Sequence, residues 1–321
     1  MNSFTIQSAD RVEIITLQDN YIDITARDNS AVVTRAMAFK DGEIKNSILA
    51  EHGFSVLVRV FVNDRIRTFL FDFGYSPAGA AYNARAMGLD LFPVEALVLS
   101  HGHSDHTGGL EELVAMIGRK DLELVVHPSV FRSRRYLRYD ENTSFFFPEF
   151  TRERVVRAGV QIVETKAPLE LLDGAVLFLG EIERRTDFEK GFPIARYLDE
   201  GQETFDKIED DTAIAINLRG QGLIILSGCA HSGIVNTIEH AIRLTGIDLI
   251  HAVMGGFHLS GPLFEPNIEK TAEAIKRLNP RYLIPAHCTG RKASLRLEDT
   301  MPDKFILNMS GTKLTFEDSD R

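Results

Sequence analysis

In the segment LSHGHSDHTGG, residues 99–109, His101, His103, Asp105 and His106 fall within six positions. Imidazole and carboxylate are the donors that zinc, iron and manganese accept. Alternate residues of a tight loop can turn their donors to one side, so His101 and His103 suit one metal ion. Neighbours in an extended loop point apart, and Asp105 and His106 therefore suit a second ion about 3.5 to 4 Å away, as in two-metal hydrolases. The competing reading is a polar turn in which Asp105 or Thr107 caps the next helix. Three histidines and an aspartate at HxHxDH spacing are more than a cap requires.

These residues need elements to hold them. VEALVLS, residues 94–100, is an almost unbroken apolar run of strand length, as in a sheet covered on both faces, and it ends where the histidines begin. Beyond Gly108 and Gly109, the spacing of Leu110, Leu113, Val114 and Ile117 predicts an amphipathic helix, and LELVVH predicts the next buried strand. Upstream, VEIITLQDN reads as a strand, and FSVLVRVFVNDRIRTFLFDFG as a hairpin turning at Asn63 and Asp64. The second half repeats the layout. TAIAINL and GLIILSG are strands, GCAHSG is a loop, and Ile234, Val235, Ile238, Ala241 and Ile242 mark a helix face. DLIHAVMGG is a strand, NIEKTAEAIKRLN a helix that stops before Pro280, and RYLIP a short strand leading to His287. Each histidine of interest lies just past a strand, where a fixed backbone meets loops free to converge. The expected architecture is α/β, with two packed sheets and helices outside.

Composition narrows the function classes. The chain has 321 residues, 44% hydrophobic and 26% charged, in the range of soluble globular proteins. A formal net charge of −10 argues against a general affinity for nucleic acid or an anionic membrane. No run of 18 apolar residues is present, and MNSFTIQSADRVE lacks the basic start and apolar stretch of a secretory signal, so a cytoplasmic location is expected. The two cysteines, Cys229 and Cys288, each lie near a histidine, and both read as site residues rather than a disulfide.

Two segments break the periodicity, near 131–150 and 180–210. FRSRRYLRY carries four arginines with two tyrosines, TSFFFPEF is aromatic, and EIERRTDFEKGFP is charged and turn-rich. They read as inserted lid loops over a site. Arginine's planar fork would suit a carboxylate or phosphate there.

With HxHxDH placed after a hydrophobic strand, the sequence resembles the metallo-β-lactamase superfamily of metallohydrolases. LAEHGFSVLV, LFDFGYS, NARAMGLDL, LSHGHSDHTGGL, VVHPSVF, DDTAIAI, LSGCAHSGIVNTI, VMGGFHL and IPAHCTG extend the resemblance to a subgroup. That subgroup is named after 7,8-dihydropterin-6-methyl-4-(β-D-ribofuranosyl)aminobenzene-5'-phosphate synthase. The resemblance spans roughly residues 10–312. It implies a four-layer αββα sandwich, here one domain over 1–321 with the two insertions. It also implies that His101 and His103 hold a first metal and that Asp105, His106 and His287 hold a second. Where the superfamily supplies a further histidine and a bridging aspartate in a Gly-Asp pair, this chain has Gly228-Cys229-Ala230-His231. His231 then completes the first site, Cys229 takes the bridging position, and Asp211 is a reserve. Asp72 in LFDFG resembles the family aspartate that orients the metal loop.

Further roles follow from setting. His258, after a strand and two glycines, is placed as general acid or substrate contact; His52 divides between site wall and structure. His127 reads as structural or rim, and His240 and His251 as surface or core. Asn236 and Thr237 open a helix whose N–H groups would suit an anion. The cofactors implied are one or two divalent ions, zinc first and iron or manganese as alternatives. A metal ion lowers the pKa of bound water to about 7, with Asp105 orienting the nucleophile. The expected activity is hydrolysis of a small phosphoester, ester or lactone, anionic by the arginines' indication. Alternatives are a pterin-pathway transferase like the subgroup's namesake, for whose two planar rings Phe145–Phe147 is a hint; a non-catalytic metal sensor; and a di-iron redox protein. A small-molecule partner is expected and a homodimer allowed.

Overall fold

The computed structural model describes residues 4–36, 39–40, 43–44 and 47–317; the ends of the expected 1–321 domain lie outside them. Its framework is two sheets. The first, of eight strands, runs Gln161–Glu164, Glu123–Val126, Ala96–Val98, Arg65–Phe71, Ser55–Val62, Arg11–Gln18, Thr312–Glu317, Val33–Arg35. The second, of seven, runs Leu169–Leu171, Val176–Phe178, Ala213–Leu218, Gly222–Ser227, Ile250–Gly256, Tyr282–Ala286, with Ser8–Ala9 beside Ala213–Leu218.

The layering follows from side-chain alternation along strands. Val56, Val58 and Val60 point between the sheets and share one core with Ile214, Ile216, Ile224 and Leu226 of the facing sheet. Leu57 points the other way, into a core with Leu110, Leu113 and Ile117 of helix Leu110–Ile117. Likewise Ala213, Ala215, Leu223 and Ile225 back onto helices Ile234–Thr245 and Ile268–Leu278. Each fully buried valine, leucine or isoleucine contributes roughly 1.5 to 3 kcal/mol. A one-residue register slip would turn a whole strand inside out, so the pattern fixes the register as well as the layers. The result is an αββα sandwich. Its hairpin turns as expected, with Asn63 in the left-handed region and Val62 paired to Arg65. Helix Ile268–Leu278 stops at left-handed Asn279, before Pro280.

The inserted segments are more ordered than loops. Arg135–Arg138 and Ser144–Phe146 from one pair with Ala195–Asp199 and Gln202–Phe205 from the other in a four-stranded sheet ordered Ser144–Phe146, Arg135–Arg138, Ala195–Asp199, Gln202–Phe205. The aromatic and charged residues that broke the periodicity sit on strands too short to show a period. No helix among the described residues is long and apolar enough to cross a membrane.

His251 stands where the pairing of Gly222–Ser227 with Ile250–Gly256 slips, between Leu223–Ile250 and Ile224–Ala252. It is 3% exposed, lies against Tyr282 and Phe316, and has no hydrogen-bond partner on either ring nitrogen. Burial, helped by Arg281, pushes its pKa down to about 4. The unfolded chain takes up this proton near pH 6.5, whereas the folded chain resists it until about pH 4. The neutral ring's stability is therefore complete above pH 6.5 and is lost as pH falls toward 4, a total of about 3 kcal/mol. Urea unfolding of His251→Phe should lose about that much less stability than wild type between pH 6.5 and 4. Identical pH profiles would show that this ring is not the source.

Candidate metal centre

Strand Ala96–Val98 delivers the HxHxDH loop to the sandwich edge. The loop is not extended throughout, because Ser104–Thr107 forms one helical turn. Asp105 and His106 therefore diverge by helical rather than extended geometry. The other donors arrive after strands Gly222–Ser227 (Cys229, His231) and Tyr282–Ala286 (His287). Gly228 permits the approach: a Cβ there would lie 2.0 Å from Ser100 Oγ and 2.7 Å from Asp72 Oδ2. Asp72, Ala230, His258 and His287 all hold positive φ, a cluster of strained backbone around one site.

The donors form three groups whose ligand atoms lie within 4.8 Å of one another: His101, His103 and Asp105; His101, Cys229 and His231; and Asp105, His106, Cys229 and His287. His101 Nε2 is 3.1 Å from His103 Nδ1 and 3.2 Å from His231 Nε2. His106 Nε2 is 3.1 Å from Cys229 Sγ, and His287 Nε2 is 3.1 Å from Asp105 Oδ2. Cys229 belongs to two groups and so stands between them. Cys288 belongs to none among the described residues; its thiol donates to the Cys229 carbonyl at 3.7 Å and it lines the cavity over the centre, a wall residue of the site and not one of its grouped donors.

The hydrogen bonds behind the donors decide which atoms face inward. Asp72 accepts from Ser100 N and Ser100 Oγ, both at 2.7 Å, and from His106 Nδ1 at 2.6 Å. With its proton given to Asp72, the Ser100 hydroxyl accepts from His101 Nδ1 at 3.0 Å. Asn20 Oδ1 accepts from His287 Nδ1 at 3.0 Å, and Asp19 accepts the His287 backbone N–H at 2.8 Å. His101, His106 and His287 thus carry their protons on Nδ1 and present bare Nε2 atoms.

Burial holds His101 and His231 well below the ordinary histidine pKa, and burial with Arg135 lowers His103 to about 4. Burial opposes charge on Asp105, yet His106 and His287 hold its carboxyl far below the usual range. Burial also opposes a charged His106, but Asp72 and Asp105 raise it. A bare imidazole nitrogen facing a carboxylate oxygen, and two further imidazole nitrogens converging on the one lone pair of His101 Nε2, fit a cation. The donor set therefore suits a divalent metal.

Other expected residues fall differently. Asp211 accepts from His231 N and Ser232 N and belongs to no donor group, so it fixes the His231 loop rather than offering a ligand atom. Asn236 ties Arg185 N and Thr186 N to its helix, and the helix N–H groups of Val235 and Asn236 are taken by the Glu189 carboxylate. The chain thus fills the expected anion site with its own acid, whose pKa burial raises to about 7. His52 lines the mouth, bonded to Asn20 and 3.6 Å from Asp105. His258 lies 4.2 Å from His231, ring to ring, with no partner at Nδ1. Burial lowers its pKa to about 3, so it holds no spare proton at neutral pH and fails the simplest form of the general-acid expectation. His127 caps Pro128–Phe131 and pairs with Glu181, and His240 bonds the Leu179 carbonyl.

The arginine expectation fails on partners for three of the four arginines of FRSRRYLRY, while the fourth, Arg134, lies over the Phe146 ring. Arg135 is buried between Asp206 and Asp210, Arg132 meets Asp206 and Glu209, and Arg138 meets Glu203. Asp210 also accepts from Gly102 N, so this neutralised cluster braces the metal loop. Asp19, Asn20 and Arg135 are the positioning residues that sequence reasoning missed. The Asp-Asn pair directly after a buried strand was the available signal for two of them.

A cavity of about 610 Å³ opens on the centre. It is lined by Asn20, His52, His103, Asp105, Cys229, His231, His258 and His287, and by aromatic and aliphatic residues from the four-stranded sheet and the 260–264 loop.

Donors of this kind at strand ends, in an αββα sandwich, define a candidate divalent-metal site on a metallohydrolase-like fold. The sequence matches the model of the metallo-beta-lactamase superfamily over residues 50–287, and the chain belongs to that superfamily. Over 270 residues it is 32% identical to the 7,8-dihydropterin-6-methyl-4-(beta-D-ribofuranosyl)-aminobenzene-5'-phosphate synthase of Methanocaldococcus jannaschii, covering 83% of this chain and 90% of that protein. It is 29% identical to an uncharacterised protein of the same organism, covering 80% of this chain and 91% of that one. Among solved structures, a metal-dependent hydrolase of the beta-lactamase superfamily shares the fold with a TM-score of 0.72 at 23% identity, over 96% of this chain and all of that one.

Asp72 serves three donors of the loop at once. In Asp72→Asn, an amide NH₂ must face a hydroxyl or an imidazole N–H, and zinc affinity should fall 10- to 100-fold in chelator competition. Unchanged affinity would refute the orienting role.

Proposed function

We propose that the chain is a metal-dependent hydrolase of a small-molecule ester, phosphoester or lactone. The observation that carries this reading is the pair of donor groups sharing Cys229 at the floor of an open cavity. His101, His103 and His231 would hold one divalent ion, and Asp105, His106 and His287 the other, with Cys229 between them. A sulfur donor among imidazoles suits zinc, with iron next. When bound, such ions acidify water and stabilise developing negative charge.

The protein's own residues then hold and exclude. Asp72, Ser100 and Asn20 fix the imidazole tautomers, so no proton needs to move for the ligand atoms to face inward. Asp105, its Oδ2 3.1 Å from His287 Nε2 and its carboxylate held ionised, would bind metal and orient the nucleophile through a hydrogen bond. His258, which lines the cavity with no hydrogen-bond partner at Nδ1, would contact substrate. Phe147 stacks on His103 at 4.4 Å and Phe192 lies parallel to His231 at 6.0 Å; both rings shield the donors from bulk water.

A second reading, a synthase acting on two substrates, is supported by the 32% identity to the named synthase over 90% of its length. Phe147 lines the cavity as that reading requires, whereas Phe145 and Phe146 are largely exposed outside it.

Zinc-loaded protein should hydrolyse bis(p-nitrophenyl) phosphate or members of an ester and lactone panel, and chelation should abolish the turnover. No turnover of any panel member by metal-replete protein would sink the hydrolase reading and leave the synthase. Metal analysis should show His101→Ala losing at least one equivalent. Cys229→Ser should keep metal but cut turnover by at least tenfold, and wild-type turnover in that variant would remove Cys229 from the reaction.

A further inference from the structure

Three donors that present Nε2 have their other ring nitrogen taken by the chain: His101 by Ser100, His106 by Asp72 and His287 by Asn20. His231 also presents Nε2, 3.2 Å from His101 Nε2, yet its Nδ1 is buried without a partner among the described residues. With Nε2 on a metal ion, Nδ1 carries the ring's proton, and that proton needs an acceptor.

The His231 ring, 5% exposed, also lines a cleft of about 30 Å³ together with Glu189, Thr271 and His258. Because Nε2 serves the donor side, Nδ1 is the polar atom that the ring can offer to this cleft. Two other groups there have bonding capacity left over. Thr271 is fully buried in helix Ile268–Leu278, and its hydroxyl is unpartnered among the described residues. The helical hydroxyls of Thr237, Thr245, Ser294 and Thr300 each donate to the carbonyl four residues back, and the Thr271 hydroxyl does not follow them. Glu189 accepts from Val235 N, Asn236 N and Thr186 Oγ1, which leaves one of the roughly four acceptor positions of its carboxylate. It sits close to the His231 loop, since a Cβ on Gly233 would lie 2.2 Å from its carboxyl carbon. A water molecule needs about 10 to 15 Å³ of such space and at least two polar partners, so the cleft has room for one or two.

We propose that a water molecule in this cleft bridges His231 Nδ1–H to the Glu189 carboxylate, with the Thr271 hydroxyl as its third partner, and that Glu189 thereby orients the His231 donor. The water accepts from Nδ1–H and from Thr271 and donates to Glu189, so every atom left over in the cleft is satisfied. Glu189 then has two tasks: it caps helix Ile234–Thr245 directly, and through the water it is a positioning residue of the metal centre. This rests on the metal-binding part of the reading above and not on its hydrolytic part.

The test is proton–nitrogen NMR of zinc-loaded protein labelled at its histidine nitrogens, with chelator competition alongside. Wild-type protein should show a His231 Nδ1–H resonance, identified by its loss in His231→Gln, with a cross-peak to water. In Thr271→Val, which leaves the helix cap untouched, that cross-peak should weaken and zinc affinity fall about threefold. In Glu189→Gln the His231 resonance should shift while those of His101, His106 and His287 stay in place, and zinc affinity should fall about tenfold. A His231 Nδ1–H with no water cross-peak in wild-type protein, or unchanged zinc affinity in both variants, would overturn the bridge. Protein that takes up no zinc would overturn the metal reading and the bridge with it. A water cross-peak in zinc-loaded protein that hydrolyses nothing would uphold the bridge and overturn the hydrolase reading alone.

Discussion

Lone pairs of buried imidazoles 3.1 to 3.2 Å apart repel one another unless a proton or a cation lies between them. The centre imposes that arrangement on His101, His103 and His231, and sets His287 against the Asp105 carboxylate at 3.1 Å. The surrounding structure is arranged to hold these groups against the repulsion. Asp72, left-handed and fully buried at the end of strand Arg65–Phe71, takes three hydrogen bonds from the metal loop. Asp210 takes a fourth from Gly102, and Asp19 and Asn20, after strand Arg11–Gln18 two strands along the same sheet, clamp His287. The donors come from both sheets, so their spacing is no better defined than the packing of one sheet on the other. The shared core between the sheets is for that reason part of the metal centre's construction, and one of its members, Phe54, reaches the site, stacked on His287 at 6.4 Å with its N–H on the Asp105 carbonyl.

This division explains what could be read in the sequence. The layers were legible because strands of seven or eight residues carry enough alternation to show two faces, and because helix faces such as Leu110, Leu113, Val114 and Ile117 repeat within one turn of each other. His101, His103, Asp105 and His106 were legible because six consecutive positions contain them. His231 and Cys229 were legible in part, from a loop whose family counterpart differs. Asn20 was not, since its partner His287 is 267 positions away: an Asp-Asn pair after a buried strand can mark a clamp but not the residue it holds. The four-stranded sheet was missed because its strands are three to five residues long, too short for a period to emerge.

The arginines and the helix opened by Ile234 were misread for one shared reason. In both, a feature that attracts anions was correctly identified, and the anion proved to be a carboxylate of the same chain. Arg132 and Arg135 find Asp206 and Asp210 more than 70 positions downstream, and the helix N–H groups find Glu189 more than 40 positions upstream. Buried charge must be paired somewhere, and a sequence shows that demand without showing which partner meets it.

The same pairing separates what the superfamily supplies from what belongs to this chain. Metal donors and their orienting hydrogen bonds come from sheet ends, which the fold fixes. The cavity walls come from the four-stranded sheet, its flanks and the 260–264 loop, and two of their rings, Phe147 and Phe192, lie directly against the donors His103 and His231. A substitution at Leu137 or Leu263 alters the shape offered to a substrate, whereas one at Asp210 alters the metal loop itself. The donors and the cavity walls thus come from different elements, and they meet where Phe147 and Phe192 lie against His103 and His231.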